Sequence, residues 1–359
     1  MENSMECEPE EEERAAGQSP RPAKPTEYIP MPLLSSAYEP GHCLETIQEM
    51  EDENLRGIAL AEYDYFSGRP EKAAQEAESY LTSPYLTIRL SACLVYAFAN
   101  LATDHILCTR RALQELEGGF SVTDEELSPQ KQTMVDFIAA TAAVLLHLPP
   151  RNEKEVSIEK INLAFLPGGM RTYACYVQAH YAYLQGDYGK SLGIVQTALG
   201  MQPEICPIPN IYLHLVATMD YVSLRRTEDA REHLLQAWML ARPDDLIEPF
   251  GEHHGLLGGM LEAVVKKEWP DDFRHMIDIT YKFSAGWRKI HNVETGDMVA
   301  DNLTTTEFSI AMLAARGWTN QEISDHMGVS LHTVKFHIAS ILSKLNVSKR
   351  SELKEYMLL

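Results

Sequence analysis

The stretch TNQEISDHMGVSLHTVKFHI, residues 319–338, decides how the end of this chain is read. Thr319 stands three residues before Glu322, the spacing of a capping box, in which hydroxyl and carboxylate each satisfy one free amide at a helix start. The helix opened in this way is expected to run to about Met327. Gly328 follows and can take the left-handed backbone of a sharp turn. Ser330 then caps a second helix, in which Val334, Ile338, Ile341 and Leu345 recur at i, i+4, i+7 and i+11 and so share one buried face.

The flanks extend the pattern. Upstream, Thr304 or Thr305 caps a helix with Ile310, Leu313 and Ala314 on its apolar stripe, and Gly317 ends it. Downstream, Ser348 caps a short fourth helix through about Tyr356. Capped helix, glycine turn, capped helix is the signature of a helix-turn-helix. The residue pattern also resembles the LuxR/FixJ-type DNA-binding domain over about 55 residues, the last sixth of the chain. Leu303, Thr304, Glu307, Gly317, Asn320, Glu322, Ile323, Gly328, Ser330, Thr333, Val334, Lys335, His337, Ile341, Lys344, Leu345, Val347 and Arg350 fit that pattern. Thr306 departs from it where the family usually has Arg, and Ser324 where it usually has Ala.

The resemblance implies that the helix beginning at Ser330 enters the major groove of double-stranded DNA. His332, Lys335, Phe336, Ala339, Ser340 and Ser343 would then face outward, with Lys335 as the leading candidate for a guanine edge or a phosphate. Thr319, Asn320, Ser330, Thr333, Lys344 and Arg350 complete the expected DNA-binding set. Ala339 is small and apolar, so direct base readout is expected to be sparse. The resemblance further implies a homodimer on DNA, with Leu353, Tyr356 and Met357 in the dimer seam.

Charge confines any nucleic-acid site to this region. The chain of 359 residues carries 31 basic and 52 acidic residues, a net charge of -21, which argues against a general polyanion binder. Residues 303–359 hold six bases and five acids, so this module is +1 and the remainder -22. Few phosphate contacts per module follow, hence modest affinity and a shallow salt dependence.

The rest of the chain is helical in texture. From about residue 51 to 292, Ala, Leu, Tyr, Glu and Gln dominate, broken at SGRP, TSP, LPP, LPGG and QGDY, and no strand-rich block stands out. Residues 170–203 form a 34-residue unit that resembles a tetratricopeptide repeat, with small residues Ala179 and Ala182, a turn at Gly186-Asp187-Tyr188, an apolar face of Leu192, Val195 and Ala198, and Pro203 as the stop. Similar units lie at about 211–243, with Tyr221 before the turn LRRTED, and near 54–84. Turn positions 186 and 225 are 39 apart, so the array is irregular. Residues 244–273 look similar to the end of the helical sensor domain of MalT-like regulators. Such pairs bury their apolar faces by stacking into a solenoid with a concave face for peptides, proteins or small ligands.

These observations set the expected organisation. The fold class is all-α: an irregular tetratricopeptide-like helical solenoid followed by a four-helix LuxR-type helix-turn-helix domain. The divisions are an acidic, disordered arm at 1–26, the solenoid at 27–292, a linker at 293–302 and the DNA-binding domain at 303–359. The expected function is a bacterial-type transcription regulator governed by an unidentified small-molecule or protein effector at the repeats. A scaffold whose repeats recruit a partner, with DNA as an anchor, is the alternative.

Other chemistry finds little support in the residues. GDYGKS at 186–191 has Leu184 where a phosphate loop needs glycine, and no strand precedes it. His253-His254 with Glu248 and Glu252 reads as a solvated helix face rather than a metal site, and the Tyr-rich stripe of Tyr173, Tyr176, Tyr181, Tyr183 and Tyr188 as mostly repeat core, with groove-lining by one or two of them the lesser alternative. The six cysteines lack metal-ligand spacing. No enzyme activity, cofactor, metal or membrane span is expected. The acidic start MENSMECEPEEEER is unlike a secretion signal, which points to the cytoplasm.

Overall fold

The computed structural model describes residues 29–117, 128–146, 148, 157–291 and 303–354. The expected arm at 1–26 and linker at 293–302 lie outside these residues, as do Tyr356 and Met357. Among the described residues every regular element is helical.

Chain direction is set by caps and turns. Asp52 accepts from the amides of Asn54 and Leu55 to open α2 (Glu53–Phe66), and Pro70 opens α3 (Pro70–Glu78). α4 (Leu86–Ala102) and α5 (Ile106–Glu117) follow. Ser128 caps α6 (Pro129–Leu145), and Asp187 caps α8 (Tyr188–Met201) after α7 (Gly168–Leu184). Pro207 opens α9 (Pro207–Ser223), which pairs with α10 (Thr227–Ala241). A short first helix, α1 (Cys43–Gln48), is tied to the far side of the body: Asp244 accepts from the amides of Gly41 and Cys43 at 2.7 and 2.9 Å.

Four hairpins, α2–α3, α4–α5, α7–α8 and α9–α10, turn in the same way. In each, two amides reach back to the closing helix: Gly68 to Tyr65 and Arg69 to Asp64, Asp104 to Leu101 and His105 to Asn100, Gly186 to Tyr183 and Asp187 to Ala182, Arg225 to Val222 and Arg226 to Tyr221. This is the bonding of a Schellman end, which needs one left-handed residue. Gly68 (φ 71°), Asp104 (φ 67°), Gly186 (φ 76°) and Arg225 (φ 61°) fill that position. Glycine does so freely, whereas an arginine there costs about 1–2 kcal/mol. The units expected at 54–84, 170–203 and 211–243 coincide with three of these hairpins.

The inner face of the hairpin array is not open. After a 3-10 turn at Arg242–Asp244, α11 (Glu248–His253) runs into it and lies against α2, α7 and α9. Glu252 accepts from the hydroxyls of Tyr65 and Tyr212, and His253 pairs with Tyr176 at 2.8 Å. Tyr173, Tyr176 and Tyr212 pack as an aromatic cluster with centroids 4.8–5.4 Å apart. Each buried ring contributes about 2–3 kcal/mol of apolar burial. α12 (Met260–Glu268) and α13 (Pro270–His291) complete the closure. α13 returns to α4, where Lys289 meets Asp104 at 2.6 Å and Gly286 lies so close to the Leu101 carbonyl that a Cβ would overlap it.

One expectation is corrected here. The solvated face assigned to Glu248, His253 and His254 is buried, at 1%, 5% and 1% exposure, because α11 fills the concavity it was thought to border. Tyr173, Tyr176 and Tyr183 are buried in the core, as read from the sequence. Among the described residues no group of three or more His, Cys, Asp and Glu side chains is placed to hold a metal, and no helix is long and apolar enough to cross a membrane.

Candidate nucleic-acid interface

The terminal module is built from α14 (Thr305–Ala315), α15 (Asn320–Met327), α16 (Leu331–Lys344) and a 3-10 turn at Arg350–Leu353. Thr304 caps α14 reciprocally with Glu307, the hydroxyl accepting at 3.3 Å and the carboxylate accepting from the Thr304 amide at 2.9 Å. Thr319 and Glu322 repeat the arrangement at α15, at 3.2 and 2.6 Å. Gly328 takes φ 65°, and Ser324, which replaces the family's usual Ala, uses its hydroxyl to close the turn on the Val329 carbonyl at 2.6 Å. Ser330 accepts from the Thr333 amide at 3.0 Å to start α16.

α16 is two-faced. Val334, Ile341 and Leu345 are fully buried and Ile338 nearly so, against α14 and α15. On the other side His332, Lys335, Phe336, Ala339 and Ser343 are exposed, Phe336 at 66%. The Phe336 ring packs edge-on against His337, with centroids 5.8 Å apart. Lys335 makes no ion pair among the described residues, so its charge is available.

Several expected DNA-binding residues are bonded within the module. Half-buried Ser340 donates to Glu307 Oε1 and exposed Lys344 Nζ to Glu307 Oε2, both at 2.7 Å. Burial opposes ionisation of Glu307, but the Lys344 ammonium, the Thr304 amide and the Ser340 hydroxyl together hold its carboxyl down at about 2. Arg350 donates to Asn320 Oδ1 and to the Trp318 carbonyl, locking the start of α15. Thr319 is exposed, Asn320 and Thr333 are half-buried, and all three serve helix starts. Leu353 is fully buried against α14 within its own module, which removes it from the expected dimer seam: the 3-10 turn points its side chain inward.

Sequence reasoning did not anticipate that the module docks on the helical body. Arg225 Nη1 meets Glu322 Oε1 at 2.7 Å and its Nη2 donates to the Gly317 carbonyl at 3.0 Å. His326 bridges the Gly258 carbonyl at 2.9 Å and the Thr227 hydroxyl at 3.2 Å. Arg316 donates to the Tyr183 hydroxyl. One apolar core runs through both parts, from Met31 to Leu353. The docking uses α14 and α15 and leaves the outward face of α16 open.

With this geometry in hand, comparison with known proteins is informative. Residues 301–357 match the family of bacterial regulatory proteins, luxR family. The terminal module is a luxR-family helix-turn-helix domain. The chain is similar to the transcriptional regulatory protein LiaR of Bacillus subtilis, 45% identical over 56 residues, which is 16% of this chain and 26% of that protein. It is also similar to the response regulator protein VraR of Staphylococcus aureus, 44% identical over 50 residues, 14% of this chain and 24% of that protein. The chain thus spans about a quarter of the length of these relatives. No solved structure matches it. The luxR-family match says nothing of the helical body, and the likeness of that body to MalT-like regulators rests on the residues quoted above alone.

Proposed function

We propose that the chain is a transcription regulator that acts in the cytoplasm by binding operator DNA, not by turnover. The luxR-family domain lays α16 in the major groove and pairs with a second copy on a two-fold site. The observation that carries this reading is the open outer face of α16, where Lys335, with no ion pair among the described residues, and exposed Phe336 stand together on a luxR-family domain. Lys335, His332, Ala339 and Ser343 lie where a base edge or phosphate would come. Lys344 and Arg350, already bound within the module, position rather than contact. Lys335, Lys349 and Lys354 are the remaining exposed bases, so the salt slope is shallow.

The helical body is the controlling part. A second observation favours a protein partner over an enclosed small ligand: an open groove of about 740 Å³ runs between α8, α9 and α10, flanked by Ile205 and Met239 at 53% and 62% exposure. The scaffold reading, in which DNA serves as an anchor, shares this groove.

Random-sequence DNA selection with the full chain tests the reading. The expected result is an enriched two-fold site, bound about tenfold more weakly after Lys335→Ala. Selection that enriches nothing sinks it. An enriched site at which the partner-bound chain leaves transcription unchanged would favour the scaffold.

A further inference from the structure

Arg225 stands at the left-handed position of the α9–α10 turn, φ 61°, where the three equivalent turns use Gly68, Asp104 and Gly186. Aspartate enters that region more readily than arginine, so of the two non-glycine positions Arg225 is the more strained, and such strain points to a function for that side chain. Its guanidinium reaches out of the body altogether. It takes Glu322 Oε1 at 2.7 Å and the Gly317 carbonyl at 3.0 Å, and it sits 5.7 Å from the Trp318 ring. All three partners belong to the luxR-family domain.

The receiving surface is shaped for that domain. Gly258 and Gly259 are consecutive left-handed residues, φ 56° and 82°, immediately before α12. A Cβ on Gly258 would come within 2.9 Å of Val222 in the body and 3.2 Å of Leu313 in the module, and one on Gly259 within 3.0 Å of Met327. A Cβ on Gly255 would lie 2.7 Å from Phe308. The absent side chains make room for α14 and α15, and His326 closes the contact on the Gly258 carbonyl.

Position gives the contact a consequence. Arg225 holds Glu322 in the first turn of α15, the helix whose start at Thr319 and Asn320 would face the DNA backbone. The body it belongs to, residues 27–292, has 22 basic and 37 acidic residues, a net charge of -15 out of the -22 carried outside the module. Held against α15, that charge lies within reach of the phosphates, about 10 Å in 0.1 M salt. We propose that Arg225 is a latch by which the helical body holds the DNA-binding module, and that opening the latch tightens DNA binding. The second half rests on the DNA-binding reading above; the first does not.

Arg225→Gly in the full chain is the test, since glycine suits the left-handed turn and leaves the hairpin intact. Glu322→Gln is the partner variant, because glutamine still completes a capping box. Amide hydrogen exchange is expected to rise about tenfold at 258–263 and 322–329 in Arg225→Gly, with α7 and α8 unchanged. Glu322→Gln changes the same amides, and the double variant adds little to either. Affinity for the selected DNA is expected to rise about fivefold near 50 mM salt, with the gain fading by about 200 mM. Unchanged exchange overturns the latch. Raised exchange with DNA affinity equal or weaker overturns the restraint on binding. Raised exchange with no DNA binding by parent or variant overturns the functional reading, and the restraint with it, while the latch stands.

Discussion

In the terminal module Glu307 is met by an amide, a hydroxyl and the Lys344 ammonium, which hold its carboxyl at about 2. In the helical body Glu248 is buried at 1% exposure, and neither of its carboxylate oxygens accepts a hydrogen bond among the described residues. Burial drives its proton affinity up, and neighbouring Glu252 adds to this. Burial likewise raises Glu62 and Asp220 to about 8 and Glu252 to about 7. Glu307 in the module is thus held toward its ionised form, and Glu248, Glu62, Asp220 and Glu252 in the body toward their protonated forms. The difference follows from what each acid faces: Glu307 meets a helix start and a lysine, whereas Glu248 is buried with no hydrogen-bond partner among the described residues. Asp64 in the body is buried but paired with Lys72 and Arg69, and is lowered like Glu307.

Glu307→Ala should have the largest effect on this contrast. It leaves the α14 cap, Ser340 and Lys344 without their acceptor, and should cost the module about 2–3 kcal/mol, read as faster hydrogen exchange in α16 than in α9. An equal change in both helices would mean the two parts unfold as one and would erase the distinction. Glu248→Gln should act in the opposite sense, stabilising the body by about 1–2 kcal/mol at pH 8 because a buried charge is no longer demanded. Chemical denaturation with hydrogen exchange read in α9 measures it, and destabilisation would reveal an ionic partner for Glu248.

The pH dependence separates the two parts further. Carboxyls raised to about 7–8 bind protons in the folded body that the unfolded chain releases, so body stability should fall as pH rises from about 5 through about 8. Glu307, held at about 2, contributes stability that is complete above the ordinary glutamate value and is lost as pH falls toward 2. Exchange at pH 6 and pH 8 should show α9 more protected at the lower value and α16 unchanged. Least in size, Thr319→Ala removes one capping hydroxyl and should cost about 1 kcal/mol, seen as fraying of α15 alone.

The module was more legible than the body for a physical reason. Its boundaries are local: Thr304, Thr319 and Ser330 cap helices within three residues of themselves, and Gly317 and Gly328 end them. The apolar period of α16 likewise shows its buried face without reference to anything else. In the body, the hairpins marked by glycine or proline were readable, whereas α4–α5 turns on Asp104 and gives no such sign. The placement of Lys344 and Arg350 was not readable, because a basic residue near a DNA-binding helix looks alike whether it faces solvent or Glu307.

The amino-acid sequence by itself determined the helices, their caps, the hairpin turns and the face of α16 that is buried, since each depends on interactions a few residues long. Only the tertiary structure decided that α11 fills the inner face of the hairpin array, that Glu248 and His253 are core, and that Arg225 reaches Glu322 across 97 positions of chain. Such contacts depend on which surfaces meet, and a polar residue does not record in its own type whether water or another helix will cover it.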